Sequence, residues 1–284
     1  MTAPAEGHDS EERTEIHASL PDLVRQELES ILPFRGRWNR GIETLGGMGV
    51  LLGRAVRRGF TRPLSPSAIA YQVEVLGIRS LSIATLTAVF AGLVISLQFA
   101  FFLARFGIQH SVGKVVSLTL FRELAPVLTA LTVGGRIGSG IAAELGSMTV
   151  TEQVDAIRAL GADPVKKLAS PRIFACFVVL PALTILADLV GLVSGSAVVR
   201  LEYGLPFDQF YRSVVETIEL SDFLSGVCKG AVFGLIIAVV GCYKGFHVEG
   251  GTEGVGRATT ETVAIASVAV CLADFFLTKL LLSL

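Results

Sequence analysis

Five long apolar runs, separated by polar and charged segments, organise this chain: 80–104, 115–143, 173–199, 223–243 and 260–282. Each is long enough to cross a bilayer, for which about 20 apolar residues suffice. The first run carries no charge at all. Arg122, Glu123 and Arg136 interrupt the second, Asp188 the third, Lys229 the fourth and Asp274 the fifth. The pattern predicts an all-α integral membrane protein with five transmembrane helices. Two weaker patterns precede them. Leu20, Val24, Leu28, Ile31 and Leu32 share one face of a short helix that Pro33 stops. Over 41–60, Ile42, Leu45, Leu52, Val56 and Phe60 align, and Arg54, Arg57 and Arg58 give the segment a basic end. Too charged to span, it suits the membrane surface. An ordinary cytoplasmic helix is the alternative.

The distribution of Lys and Arg orients the spans. Arg54, Arg57, Arg58, Arg62 and Arg79 precede the first; Arg158, Lys166, Lys167 and Arg172 follow the second; Lys244 and Arg257 follow the fourth. The opposite side holds Arg105, Lys114, Arg200, Arg212 and Lys279. Positive charge stays in the cytoplasm, which places the N-terminus there and the C-terminus outside. Glycines four apart, Gly134 and Gly138, Gly191 and Gly195, and Gly226, Gly230 and Gly234, predict closely packed helices.

Composition agrees. Hydrophobic residues make up 51% and charged residues 17%, below the quarter or so usual in soluble domains. A net charge of -1 gives no basic field for nucleic acid. Cys176, Cys228, Cys242 and Cys271 lie in apolar stretches without CxxC spacing, and the four histidines are isolated, so no metal site is expected. The polar, acidic start lacks a secretory signal and reads as disordered at least to Glu15.

The segment 144–171 carries the sharpest local signal. Thr149 and Glu152 have capping-box spacing, Val154, Ile157 and Leu160 continue a short helix, and Gly161 suits its left-handed end. Asp163-Pro164 starts a further turn, and Ser170-Pro171 repeats the device. A stiff helix between two spans suits docking of a soluble partner; a re-entrant or surface helix without a partner is the alternative.

Several motifs in this order resemble a known family. They are Arg122-Glu123-Leu124-Ala125-Pro126, Ala142-Ala143-Glu144-Leu145-Gly146-Ser147-Met148, Val150-Thr151-Glu152-Gln153-Val154-Asp155-Ala156 and Gly161-Ala162-Asp163-Pro164. Gly254-Val255-Gly256-Arg257-Ala258-Thr259-Thr260 and Asp274-Phe275-Phe276-Leu277-Thr278 follow near the C-terminus. Together they resemble the MlaE-type (YrbE-type) permeases of ABC lipid transporters. The resemblance divides the chain into an N-terminal extension, 1–40, and a permease domain, 41–284. It implies a homodimer in the bacterial inner membrane, bound to cytoplasmic ABC ATPase subunits and to MCE-domain proteins on the outer face. It implies phospholipid or a related polar-headed lipid as cargo. ATP and Mg would be bound by the ATPase and no cofactor by this chain. Glu144, Thr149, Glu152, Asp155, Ala156 and Gly161 become the candidates for ATPase coupling.

Charges inside spans are costly and mark function by default. Arg122 and Glu123 sit in the second span, and Pro126 withholds the N–H that the Arg122 carbonyl would accept. Arginine suits phosphate because its planar fork donates two hydrogen bonds. Arg122 and Glu123 are therefore expected to line a lipid cavity. A structural ion pair is the equal alternative. Arg136, ~40° round the helix from Arg122 at ~100° per residue, extends a polar track. Leu93, Leu97, Phe101 and Phe102 recur at helical spacing on the first span and are candidates for the apolar wall; lipid-facing or core positions are the equal alternative for each. Asp188, Asp274 and Lys279 are candidates for inter-helix pairing, with no partner assigned by the sequence.

Other chemistries fit less well. Gly107 to Lys114 has one residue too many for a phosphate-binding loop, and Val115 stands where a hydroxyl is needed, so hydrolysis belongs to another subunit. Gly138-Ser139-Gly140 falls inside a span, where no strand precedes it. A membrane enzyme of lipid metabolism would use Glu123, Asp188 and Asp274, but no two carboxylates share a motif. A stand-alone secondary transporter usually needs internal repeats, and none is evident.

Overall fold

The computed structural model describes residues 43–58 and 66–283. The chain divides into two compact units, Met1–Val50 and Leu51–Leu284. Of the first, residues 43–50 are helical and open helix α1, which covers 43–58. The functional features all belong to the second. The 20–32 helix expected from the sequence lies outside the described residues.

Helices follow one another: α2 (Pro66–Leu76), α3 (Leu81–Arg105), α4 (Val112–Thr119), α5 (Ala125–Val150), α6 (Gln153–Ala159), α7 (Ser170–Tyr203), α8 (Phe207–Val215), α9 (Leu220–Phe246) and α10 (Gly251–Leu282). Among the described residues no strand occurs. Among the described residues, five stretches are long and apolar enough to cross a membrane: Pro66–Arg105, Gln109–Val150, Val165–Tyr203, Leu220–Phe246 and Gly251–Leu281. They coincide with the five apolar runs, so this is a multi-pass membrane protein. The helical stretches extend beyond the apolar runs at their ends. Two short helices, α2 and α8, were not evident in those runs. α2 joins α3 through a single 3₁₀ turn, and α8 buries Phe210, Ser213 and Val214.

Small residues bring the helices together. The inward stripe of α3 is Ala84, Ala88, Gly92, Ser96 and Ala100, all buried at a spacing of four. It packs on α7, where Ser194 Oγ donates to the Val89 carbonyl at 3.2 Å. A Cβ on Gly92 would overlap the Gly191 carbonyl. α5 packs against α7, α9 and α10, and α9 against α7 and α10. In membranes, where lipid is as apolar as Leu, such close packing drives association.

The second span contains a widened turn. Residues Leu120–Leu124 form a π-helical segment between α4 and α5, with the Ala125 N–H donating to the Leu120 carbonyl. The Pro126 break expected from the sequence thus takes the form of a π-bulge, a device frequent at functional sites. A second π segment, Val165–Ala169, opens the third span.

Candidate functional site: a charged cavity and a braced helix between two spans

Parallel packing of α9 on the second span and antiparallel packing of α10 bring the start of α9, the end of α10 and the π-bulge of the second span to one level. Gly226 in α9 makes this approach possible, because a Cβ there would overlap the Phe121 carbonyl. One turn on, Lys229 enters the bulge, its side chain 1% exposed. Its ammonium donates to the Arg122 carbonyl at 2.9 Å, to Glu123 Oε2 at 2.6 Å and to Thr278 Oγ1 at 2.7 Å. An ammonium has three donors, and all three are used. Asp274 Oδ1 also lies 2.9 Å from Nζ, as a charge contact without a hydrogen bond. Thr278 in turn donates to the Glu123 carboxylate at 3.3 Å.

Arg122 is held separately. Its Nε donates to Asp222 Oδ1 at 2.6 Å. Asp222 is buried, and its other oxygen accepts the Glu219 N–H at 3.0 Å, capping α9. One carboxylate therefore starts a spanning helix and orients an arginine. Around these groups lies a cavity of about 250 Å³, lined by Arg122, Glu123, Ser221, Ser225, Lys229, Thr278 and Leu281. Its volume lies just below the roughly 300–1,000 Å³ usual for small-ligand pockets, so it suits a small polar group.

Arg122 and Glu123 line one cavity, and Asp274, whose partner the sequence left open, meets Lys229 beside it; Lys229, Asp222 and Thr278, which bind the cluster together, were not assigned to a site. Only Asp222 carried a signal, the Glu219-x-x-Asp222 capping spacing. Arg136 does not extend the track: its Nη1 donates to Ser80 Oγ at 2.6 Å, near the α2–α3 break. Asp188 is buried within α7, and neither carboxylate oxygen has a hydrogen-bond partner among the described residues. The first-span residues do not reach the cavity of a single chain. Leu93 is half-buried, and Leu97, Phe101 and Phe102 stand on the exposed face of α3. The reason is the small inward stripe, which turns the large side chains away. Phe101 lies beneath the Arg105 guanidinium at 4.5 Å.

At the opposite end of the bundle, α6 projects from α5. The capping box does not form. α5 continues through Val150, and the Thr149 hydroxyl donates to the Leu145 and Gly245 carbonyls at 2.9 and 3.1 Å. Glu152 instead precedes α6 in the left-handed conformation, φ 58°. The other end forms as expected. Gly161, at φ 74°, donates to Arg158, and Ala162 to Ile157, which is a Schellman closure. Asp163 Oδ1 then accepts the Val165 N–H at 3.0 Å, and Pro164 takes the first helical position. Ser170 and Pro171 fall within the helix already begun, so they start nothing.

The 144–171 segment is braced on several sides. Glu144 pairs with the buried Arg172 at 2.7 Å, and Arg172 Nη1 also donates to the Leu168 carbonyl at 2.6 Å. Arg58 pairs with Asp163. Val154 is buried and anchors α6, while Asp155 and Ala156 are exposed and Leu160 is 86% exposed. Asp155 pairs with Arg158 at 2.9 Å. The segment presents a fixed face of small, acidic and apolar side chains.

Sequence comparison agrees with this architecture. The family described as Permease MlaE matches residues 69–280. A probable ABC transporter permease protein of Rickettsia typhi is 39% identical over 219 residues, covering 77% of this chain and 85% of its own length. A probable ABC transporter permease protein of Synechocystis is 41% identical over 210 residues, covering 74% and 80%. The chloroplastic protein trigalactosyldiacylglycerol 1 of Arabidopsis thaliana is 36% identical over 280 residues, covering 96% and 78%. With five apolar spans, a charged cavity among them and a family match over most of its length, the chain belongs to the MlaE permease family.

Proposed function

We propose that this chain is the membrane-spanning subunit of an ABC transporter that moves phospholipid, or a related polar-headed lipid, between the inner membrane and the outer envelope. The observation that carries the proposal is the headgroup-sized cavity walled by spanning helices, with Arg122 and Glu123 on its surface. A lipid can present its headgroup there while its chains remain among apolar helix faces. The Arabidopsis relative bears the name of a diacylglycerol glycolipid, which supports lipid as cargo.

ATP is hydrolysed in a separate cytoplasmic subunit that docks on α6. The bracing around α6 supports this, because a docking helix must be rigid to pass on its partner's motion. The chain works as a homodimer: α10 and α3 expose Val268, Leu272, Phe275, Phe276, Leu86 and Phe90, faces that a second copy can cover. On the outer face it meets MCE-domain proteins. The N-terminus is cytoplasmic and the C-terminus periplasmic, as the basic loops indicate, and α1 lies along the membrane surface. The test is co-purification of a stoichiometric ATPase together with ATP-dependent lipid transfer. A chain that purifies alone and moves lipid alone contradicts the proposal.

A further inference from the structure

The charges around the cavity do not balance. Arg122 and Lys229 contribute two positive charges, whereas Glu123, Asp222 and Asp274 contribute three negative ones. Asp222 is answered by Arg122. Lys229 alone faces both Glu123 and Asp274, and its three donors go to the Arg122 carbonyl, Glu123 and Thr278. Asp274 Oδ1, paired in charge with Lys229, has no hydrogen bond among the described residues. Lys279 follows Thr278 in sequence, but it is exposed and does not line the cavity.

The unused hydrogen-bonding capacity is two-sided. Arg122 uses only Nε, so both terminal nitrogens remain free among the described residues, and its side chain is 38% exposed. Glu123 also lines the cavity, with its side chain 39% exposed. A donor fork for an anion thus adjoins a carboxylate with room for a further cation. Ser221 and Ser225 add hydroxyls that serve either sign.

Resting on the lipid-cavity proposal above, we infer that the cavity selects a zwitterionic, amine-bearing phospholipid. Its phosphate takes the free Arg122 nitrogens, and its ammonium takes the Glu123 carboxylate as the third cation of the cluster. An anionic phospholipid supplies the phosphate but no ammonium, and enters a site that already holds excess negative charge. Water-poor surroundings strengthen that penalty relative to the membrane surface.

The test is a titration of the purified full chain in neutral detergent, read by native mass spectrometry. The probes are phosphatidylethanolamine and phosphatidylglycerol with identical acyl chains. Wild-type protein is expected to bind the ethanolamine lipid about tenfold more tightly. Glu123→Gln removes one negative charge and the amine's partner, and should abolish the preference while both lipids still bind. Asp274→Asn makes the same charge change without touching the cavity wall, and should reduce the preference. It serves as the second variant should Glu123→Gln fail to fold. Equal or tighter binding of phosphatidylglycerol to the wild type overturns the inference, as does a preference that survives both variants. Binding that weakens for both lipids in Arg122→Gln, but without preference in the wild type, leaves the lipid cavity standing and removes only its selectivity. Binding indifferent to Arg122→Gln removes both.

Discussion

The Lys229 ammonium donates to the backbone carbonyl of Arg122 across 2.9 Å, and that carbonyl is the one Pro126 cannot serve. A freed carbonyl inside a bilayer must find a donor within the protein. Here a side chain from another helix provides it, and the same ammonium binds Glu123 and Thr278. The proline break, the π-bulge and the charged cluster are therefore one construction. It ties the second, fourth and fifth spans together at the level of the cavity.

Lys229→Met should accordingly be among the most damaging single substitutions. It leaves Glu123 and Asp274 facing each other without a cation and returns the Arg122 carbonyl to an unpaired state. Losing one partner of a buried ion pair costs about 3–5 kcal/mol. Thermal unfolding in detergent should show a large drop in midpoint. Adding Glu123→Gln and Asp274→Asn to Lys229→Met should recover most of it. A midpoint unchanged in the single variant would mean the cluster does not hold the spans together.

Much of this fold was legible in the apolar runs, because a bilayer imposes a minimum length on each crossing. Arg122 and Glu123 were legible as a site because charge within a span is rare. Their partners were not. Lys229 looks like an end-of-span lysine until Gly226 brings α9 against the Phe121 carbonyl, a relation across a hundred residues of sequence. Asp222 reads as a helix cap, which it is, and nothing local discloses its second oxygen's bond to Arg122. Leu93, Leu97, Phe101 and Phe102 do not line the cavity of a single chain, because the small residues of α3, as periodic as its large ones, face inward. Thr149 has the right spacing for a cap, but the helix before it simply does not stop there.

Ala156→Trp tests the coupling face. Ala156 is exposed on α6, so the bulkier side chain should change stability by no more than about 0.5 kcal/mol. The variant should remain folded in detergent yet lose the co-purifying ATPase. Full ATPase binding together with lipid-stimulated hydrolysis would show that α6 is not the docking element.

Orientation can be checked by cysteine labelling in intact cells, on a background lacking the four native cysteines. Cysteines placed at Lys166 or Lys167 should resist a membrane-impermeant maleimide, and one placed at Arg212 should react. Labelling at 166 or 167 from outside reverses the topology.

The most direct measurement of the central claim is ATP-dependent transfer of a fluorescent phospholipid by the reconstituted complex carrying Arg122→Gln. Arg122→Gln removes the terminal nitrogens together with the Nε bond to Asp222 Oδ1, while Asp222 Oδ2 still accepts the Glu219 N–H and caps α9. The variant should assemble with its ATPase at wild-type stoichiometry while transfer falls at least about tenfold, the loss of one charge-assisted hydrogen bond to phosphate. Wild-type transfer by a fully assembled Arg122→Gln complex would contradict the account, because the charged cavity would then lie off the lipid's path.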